Sequence, residues 1–397
     1  MKIVFVGGGT GGHFYPLIAV AEAVRSESAQ RDILTPQLYY IAPEPYDEEA
    51  LFANSITFIK SPAGKIRRYA SIQNITGIFT TIAGVFWSIR TLYKIYPDVI
   101  FSKGGYASVP TVIAAHFLHI PILIHESDAK PGRANLLASK YAYRIAVAFE
   151  GVTNLFPPKT RNRIAVTGIP VREAFLNTLK IPPALTYKTS QDAKATLGLD
   201  VQIPTVLILG GSSGSQRIND LILSVLPDFV AFGNIIHQTG KNNYKDVLTA
   251  SSVILDKNPR AGRYHPYMYL SQETMVLAAQ AADVIISRAG STSITEISLW
   301  KKPAVLIPIP EEISHDQRTN AYSYAHTGAA IVLEEKNMTP HLLVSEARRI
   351  ASDPYLATEM GEKGATFANP KAASLIGHEL LEICLAHETE AESHMKK

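Results

Sequence analysis

Cysteine is almost absent from this sequence: Cys384 is the single one in 397 residues. An internal disulfide is therefore excluded, which fits a reducing compartment. An excess of charge of one sign is lacking too. Lysine and arginine number 38 against 35 aspartates and glutamates, a formal net charge of +3, so no global basic field points to nucleic acid and none is expected as a partner. Metal signatures are missing: there is no Asp-x-Asp, no His-Glu-x-x-His and no Cys/His set at ligand spacing. Neither a metal nor a cofactor is expected. A Walker loop is also missing. The opening Met1-Lys2-Ile3-Val4-Phe5-Val6 runs at once into glycines, unlike a secretory signal. The charge-poor stretch 69–89 is interrupted by Ser71, Gln73, Asn74, Thr76, Thr80, Thr81, Ser88 and two glycines. It is more polar than a spanning helix and reads as soluble or interfacial.

What is present is strand-helix alternation in a chain long enough for two cores. Short β-branched runs at 3–6, 37–41, 99–102, 122–124 and 144–148 recur at 205–210, 234–238, 284–287 and 304–309. Between them, stretches such as 17–25 and 219–230 carry apolar residues at helical spacing. The pattern predicts an α/β protein of parallel sheets wrapped by helices, with ligands at the carboxyl ends of strands. A break follows Val166-Thr167-Gly168-Ile169-Pro170, and 181–194 is a polar stretch of little periodicity. A strand and glycine-rich turn then restart at Thr205. Two Rossmann-like domains facing across a cleft are expected, at 1–168 and 169–371. A helix at 372–385 is expected to pack back on the first, ahead of a charged tail at 386–397.

Four motifs carry chemistry. Gly7-Gly8-Gly9-Thr10-Gly11-Gly12-His13 follows the first strand, where glycines let backbone N–H groups approach an anion or a sugar. Gly7, Gly9 and Gly12 also fit G-x-G-x-x-G, with Glu44 after the second strand as a ribose-binding acid. A nicotinamide oxidoreductase and a plain tight turn therefore stay open. His13, followed by Pro16, is not required by dinucleotide binding and suits removal of a proton from an attacking hydroxyl. Leu209-Gly210-Gly211-Ser212-Ser213-Gly214-Ser215 suits a pyrophosphate, with Arg172 as an assisting cation or simply a surface arginine. Ser287-Arg288-Ala289-Gly290-Ser291 leads to Glu296, whose carboxylate can accept from both ribose hydroxyls or merely complement a helix N-terminus. His315-Asp316-Gln317-Arg318-Thr319-Asn320 offers amides to sugar hydroxyls, or is a solvated loop. Leaving-group charge would then fall to helix N-termini and arginine.

In order along the chain, Gly8-Gly9-Thr10-Gly11-Gly12-His13, Gly104-Gly105-Tyr106, His125-Glu126, Pro170-Val171-Arg172, Gly210-Gly211-Ser212, Arg288-Ala289-Gly290 to Glu296, and Gln317 with Asn320-Ala321 resemble the MurG family of bacterial N-acetylglucosaminyltransferases. The resemblance implies a GT-B fold and an inverting transfer of N-acetylglucosamine from UDP-N-acetylglucosamine to the muramyl 4-hydroxyl of undecaprenyl-linked lipid I, giving lipid II. It implies His13 and Glu126 as catalytic, and Thr10, Gly11, Gly12, Tyr106, Asp128, Arg172, Ser212, Ser291, Glu296, Gln317 and Asn320 as substrate-binding. His125 is a further group for holding the acceptor or orienting the base. Uracil would meet the backbone of Tyr267-Met268-Tyr269-Leu270. There are departures: Asp128 stands where the family often has Asn in His-Glu-x-Asn, Ile169 where it has Asn, and Val109 where it has Gly. Ser213 and Gln216 also differ from the usual pattern. Another lipid-acceptor GT-B enzyme, such as a diacylglycerol glycosyltransferase, and a catalytically silent sugar-nucleotide binder remain as alternatives.

Between 60 and 103 the bases Lys60, Lys65, Arg67, Arg68, Arg90, Lys94 and Lys103 face Asp98 alone, around Ile75, Ile78, Phe79, Ile82, Phe86 and Trp87. Apolar anchors ringed by cations suit an anionic leaflet. A peripheral place on the cytoplasmic face of the inner membrane is expected, against the plainer reading of a core-facing stripe.

Overall fold

The computed structural model describes residues 1–8, 11–65, 72–180, 190–211, 214–312 and 316–395. The chain divides into two compact units: Met1–Glu173 with Asn369–Lys397, and Ala174–Ala368. Arg172 thus belongs to the first unit.

The first unit is wound around β1 (Lys2–Val6), β2 (Gln37–Ala42), β3 (Ile56–Lys60), β4 (Val99–Ser102), β5 (Ile122–Glu126), β6 (Arg144–Val147) and β7 (Ile164–Val166). They form one seven-stranded sheet in the order β3-β2-β1-β4-β5-β6-β7, every pair parallel. Val4 lies opposite Tyr39 on one side and Ile100 on the other. A parallel sheet covered on both faces wants apolar residues at successive positions, and β1 supplies them. Its Ile3 and Phe5 enter the core under the helix Gly11–Gln30. Its Val4 and Val6 enter the opposite core with Val112 and Leu92.

The helix Ala372–Met395 belongs to this unit and packs against Gly11–Gln30. Leu380, Leu381 and Cys384 enter the same core as Ile3, and Arg31 pairs with Glu382 at 2.7 Å. The helix runs on through the segment read as a charged tail, as far as Met395.

The helix Ile72–Ile95 has two faces of opposite fate. Gly84, Ser88, Leu92 and Ile95 are buried, and Ser88 Oγ lies 3.3 Å from Thr111 Oγ1 on the helix Val109–Phe117. At about 100° per residue, Ile75, Ile78, Phe79, Ile82, Phe86 and Tyr93 fall in one stripe on the other side. All six are exposed, from 48% for Ile78 to 75% for Tyr93. The stripe is therefore not core-facing, apart from Trp87, which packs against buried residues.

The second unit repeats the plan with β8 (Thr205–Leu209), β9 (Asn234–Gln238), β10 (Tyr264–Tyr267), β11 (Val284–Ser287), β12 (Ala304–Leu306) and β13 (Ala330–Val332). The sheet order is β10-β9-β8-β11-β12-β13, again all parallel. β12 ends at Leu306, short of the expected 309, ahead of Pro308 and Pro310. Of the stretch 181–194, residues 181–189 lie outside those described, and Ser190–Thr196 is helical. In each sheet the winding reverses beside its first strand, between β1 and β4 and between β8 and β11. Such a switch point leaves a crevice at the carboxyl ends, where ligands of doubly wound sheets bind.

Candidate functional site

In the first unit, the glycine turn after β1 and the segment after β4 meet at the switch point. Gly11 and Gly12 open the helix Gly11–Gln30, and His13 stands in its first turn, half-buried. The His13 ring lies beside Gly105, 3.7 Å from the position a β-carbon there would take. Burial pulls the imidazole down to about 4, Lys103 adds to this, and Asp128 opposes it. His13 is thus an uncharged base at neutral pH, able to accept a proton.

Glu126 ends β5 and is 3% exposed. Its carboxylate accepts from Asp128 N at 3.0 Å, Gly132 N at 2.9 Å and Asn135 Nδ2 at 2.9 Å. Burial and the Asp128 charge raise its pKa against the pull of Lys103 and the hydrogen bonds from Asp128 N and Asn135. Next to it, His125 Nε2 donates to the Gly168 carbonyl at 2.8 Å, and burial holds the ring well below the ordinary imidazole range. Tyr106 and Asp128 are half-buried nearby in the sequence of the same two segments. Arg172 lies over the Tyr15 ring at 4.7 Å, a cation–π contact that fixes its guanidinium. Lys103, counted from sequence among the surface bases, is 1% exposed. The reason is its place: it follows β4 directly, at the floor of the switch point. Exposed Lys60, Lys65, Arg90 and Lys94 remain around the apolar stripe, while Arg67 and Arg68 lie outside the described residues.

In the second unit, the turn after β8 ends on Ser215, which caps the helix Gln216–Ser224 by accepting from Ile218 N at 3.4 Å. Gly214 takes φ +75°, and a β-carbon there would run into the Thr239 carbonyl, so only glycine fits. Arg288, directly after β11, donates to Ser215 Oγ at 2.8 Å, the Ile307 carbonyl at 3.1 Å and Glu335 at 2.6 Å. Gln238 at the end of β9 donates to the Gly211 carbonyl at 3.3 Å and accepts from Leu270 N at 3.0 Å. It thereby ties the turn to the segment Tyr267-Met268-Tyr269-Leu270, in which Tyr269 is 59% exposed.

Ser291 opens the helix Ser291–Leu299, buried behind the cap Gly290, and Glu296 is half-buried on it. Gln317 begins the helix Gln317–Ala325 and accepts from Ile309 N at 3.2 Å. Asn320 is buried, and its amide reaches the Ala289 carbonyl at 3.5 Å, so it also braces the Arg288-Ala289-Gly290 turn. Thr10, Ser212 and His315 lie outside the described residues. The first unit therefore gathers His13, Tyr106, Glu126 and Asp128 at its switch point. The second gathers Ser291, Glu296, Gln317 and Asn320 around its own. Sequence reasoning missed Gln238 and the bracing role of Arg288. A polar residue ending a buried strand was the signal for the first, and an arginine directly after one was the signal for the second.

The sequence matches the glycosyltransferase family 28 N-terminal domain over residues 3–147 and the family 28 C-terminal domain over residues 205–376. Among curated relatives, the UDP-N-acetylglucosamine--N-acetylmuramyl-(pentapeptide) pyrophosphoryl-undecaprenol N-acetylglucosamine transferase of Clostridium kluyveri is 36% identical, over 88% of this chain and 91% of its own length. The Treponema denticola protein of the same name is 32% identical over 94% and 95%. The crystal structure of Acinetobacter baumannii MurG superposes with a TM-score of 0.68 at 25% identity, covering 96% of this chain and 99% of that one. A Neisseria meningitidis UDP-GlcNAc 2-epimerase shares the fold at 15% identity and a TM-score of 0.69, over 96% and 100%. With two parallel sheets of doubly wound order, the fold is GT-B. The chain belongs to the MurG family of N-acetylglucosaminyltransferases, within glycosyltransferase family 28.

Proposed function

We propose that this enzyme transfers N-acetylglucosamine from UDP-N-acetylglucosamine to the muramyl 4-hydroxyl of lipid I, with inversion, to give lipid II. The observation that carries the chemistry is His13, an uncharged imidazole at a helix start on the switch point of its sheet. The acceptor hydroxyl attacks the anomeric carbon, His13 Nε2 or Nδ1 takes its proton, and UDP leaves. Glu126, held by three donors, positions the 126–132 loop and does not itself take the proton. In the second unit, the glycine turn braced by Arg288 receives the pyrophosphate, Glu296 the ribose, and Gln317 the sugar. Incubation with UDP-N-acetylglucosamine and a lipid I analogue should yield lipid II, and the His13→Ala variant should lose at least about a hundredfold in turnover. Wild-type turnover in that variant removes the base role, and product formed only on diacylglycerol removes the acceptor.

The lipid acceptor requires the enzyme to meet a membrane. The exposed stripe from Ile75 to Tyr93 supports a peripheral attachment, with Lys60, Lys65, Arg90 and Lys94 toward an anionic leaflet. The helix Gln73–Ile95 is long and apolar enough to cross a bilayer by length and composition. Its buried face against the helix Val109–Phe117 speaks for lying on the surface instead.

A further inference from the structure

Among the described residues, Lys103 is the one fully withdrawn cation of the first switch point. Its side chain is 1% exposed, and its Nζ has no hydrogen-bond partner among the described residues. A buried ammonium without partners is unfavourable unless charge of the opposite sign lies near. Two carboxylates do: Glu126 and Asp128 both act on Lys103, and neither forms an ion pair with it among the described residues. The backbone holds it there. Lys103 N donates to the Val6 carbonyl at 2.9 Å, and a β-carbon on Gly7 would sit 3.0 Å from Lys103 Cβ. The glycine turn and Lys103 are therefore in closest approach, with His13 beyond the turn beside Gly105.

Lys103 and Asp128 act on His13 from within a cluster of titratable groups. On the helix of His13 itself, Tyr15 follows two residues on and lies under the Arg172 guanidinium. From the β4 side come Lys103 and Tyr106, and from the β5 side His125, Glu126 and Asp128. From β2 comes Tyr40, whose hydroxyl donates to the Gly7 carbonyl at 2.7 Å. Of the charged members, Lys103 disfavours a proton on His13 and Asp128 favours one.

We propose that Lys103 is a positioning residue for the transfer: it is the buried counter-charge to Asp128 and Glu126, and the Lys103–Asp128 couple trims the proton affinity that the enclosed site gives His13. Its catalytic consequence rests on His13 being the base, but its effect on His13 does not.

The test is histidine NMR on the full-length free enzyme, with the His13 resonance assigned by its loss in His13→Gln. Lys103→Met should raise the His13 titration midpoint, and Asp128→Asn should lower it, each by about half a pH unit or more. The double variant should return it toward the wild-type value. The acid limb of kcat/KM should move in the same directions. Lys103→Arg, which keeps the charge, should leave the midpoint in place. If Lys103→Met does not fold, the double variant, with the half-buried acid neutralised, should fold and provide the comparison with Asp128→Asn. An unchanged His13 midpoint in Lys103→Met, or in the double variant relative to Asp128→Asn, overturns the proposal. Full activity of His13→Gln with shifted midpoints would instead overturn the base assignment and leave the charge coupling standing.

Discussion

Lys103 and Arg288 hold the same station in their two sheets: each follows directly on the strand lying across the switch point from its glycine turn. Both are withdrawn from solvent, at 1% and 7% exposure. Their partners differ. Arg288 donates to Ser215, Ile307 and Glu335, whereas Lys103 Nζ has no hydrogen bond among the described residues. An arginine fork can brace a turn by geometry. A lysine ammonium there acts through its charge. The two halves thus place a buried cation at the same point of the winding and use it differently.

Replacing Arg288 by Met should loosen the donor turn. It removes the fork on Ser215 and leaves Glu335, also bridged by exposed Arg217, less compensated. Charge-assisted hydrogen bonds are worth about 1.5–3 kcal/mol, so a stability loss of about 2 kcal/mol is expected in the second unit. The chain has two tryptophans, Trp87 and Trp300, and Trp300 lies in the second unit. A Trp87→Phe background therefore makes urea-induced fluorescence change a reporter of that unit. The KM for UDP-N-acetylglucosamine should rise about tenfold or more, and Arg288→Lys should recover stability only in part. An unchanged midpoint and KM would contradict the bracing role.

Gly214→Ala should be more severe than its size suggests. The position is at φ +75°, and the added carbon would collide with the Thr239 carbonyl. A left-handed non-glycine conformation costs about 1–2 kcal/mol before the collision is counted. Because Ser215 and its helix cap follow directly, the displacement falls on the donor turn. Isothermal titration should show UDP binding weakened by about tenfold or more, while Gly198→Ala, at φ +70° with open space around it, should leave UDP binding unchanged.

The strands that could be read from the sequence are the interior ones of both sheets. β1, β4, β8 and β11 are buried at nearly every position, and a strand covered on two faces advertises itself as a continuous apolar run. The four that escaped, β3, β7, β10 and β13, are the four sheet edges. Their residues are largely half-buried or exposed, so Thr57, Lys60, His265 and Pro266 dilute the pattern. The glycine turns and His13 were legible because their chemistry is local. Lys103 was not: its sequence neighbours made it one more base near an apolar helix, and only the pairing of β4 with β1 reveals that it is enclosed. The tie of Asn320 to Ala289 was hidden for the same reason, since it joins a helix to a turn 31 residues earlier.

Acid should weaken the second unit well before its carboxylates titrate. Burial pulls His237 down to about 3, and His265 is lowered by burial as well. An unfolded histidine titrates near about 6.5. Between those values the unfolded chain binds a proton that the folded chain refuses, so stability is complete above about 6.5 and is lost as pH falls toward 3. His237 alone contributes a slope of about 1.4 kcal/mol per pH unit through that window. In the Trp87→Phe background, the unfolding free energy from urea should fall by about 2 kcal/mol between pH 7 and pH 5. A flat profile over that range would show that His237 charges in place.

The exposed stripe supplies the last prediction. Phe79 and Phe86 are 68% and 70% exposed, and neither carries the buried face through Ser88 and Leu92. Transfer of a phenylalanine side chain out of water is worth about 1.5–3 kcal/mol. A Phe79→Ser/Phe86→Ser variant should therefore partition to vesicles at least about a hundredfold more weakly, with its folding stability unchanged. Neutralising exposed Arg90 and Lys94 should act differently. Each near-surface base contributes about 1 kcal/mol on an anionic leaflet, so their loss should weaken binding to anionic vesicles at low salt and not to neutral ones. Both variants should retain wild-type turnover on a short-chain, water-soluble acceptor, because the stripe and the His13 cluster use different residues. Equal sedimentation of the double serine variant and the wild type with anionic vesicles would mean that another surface of the enzyme meets the lipid.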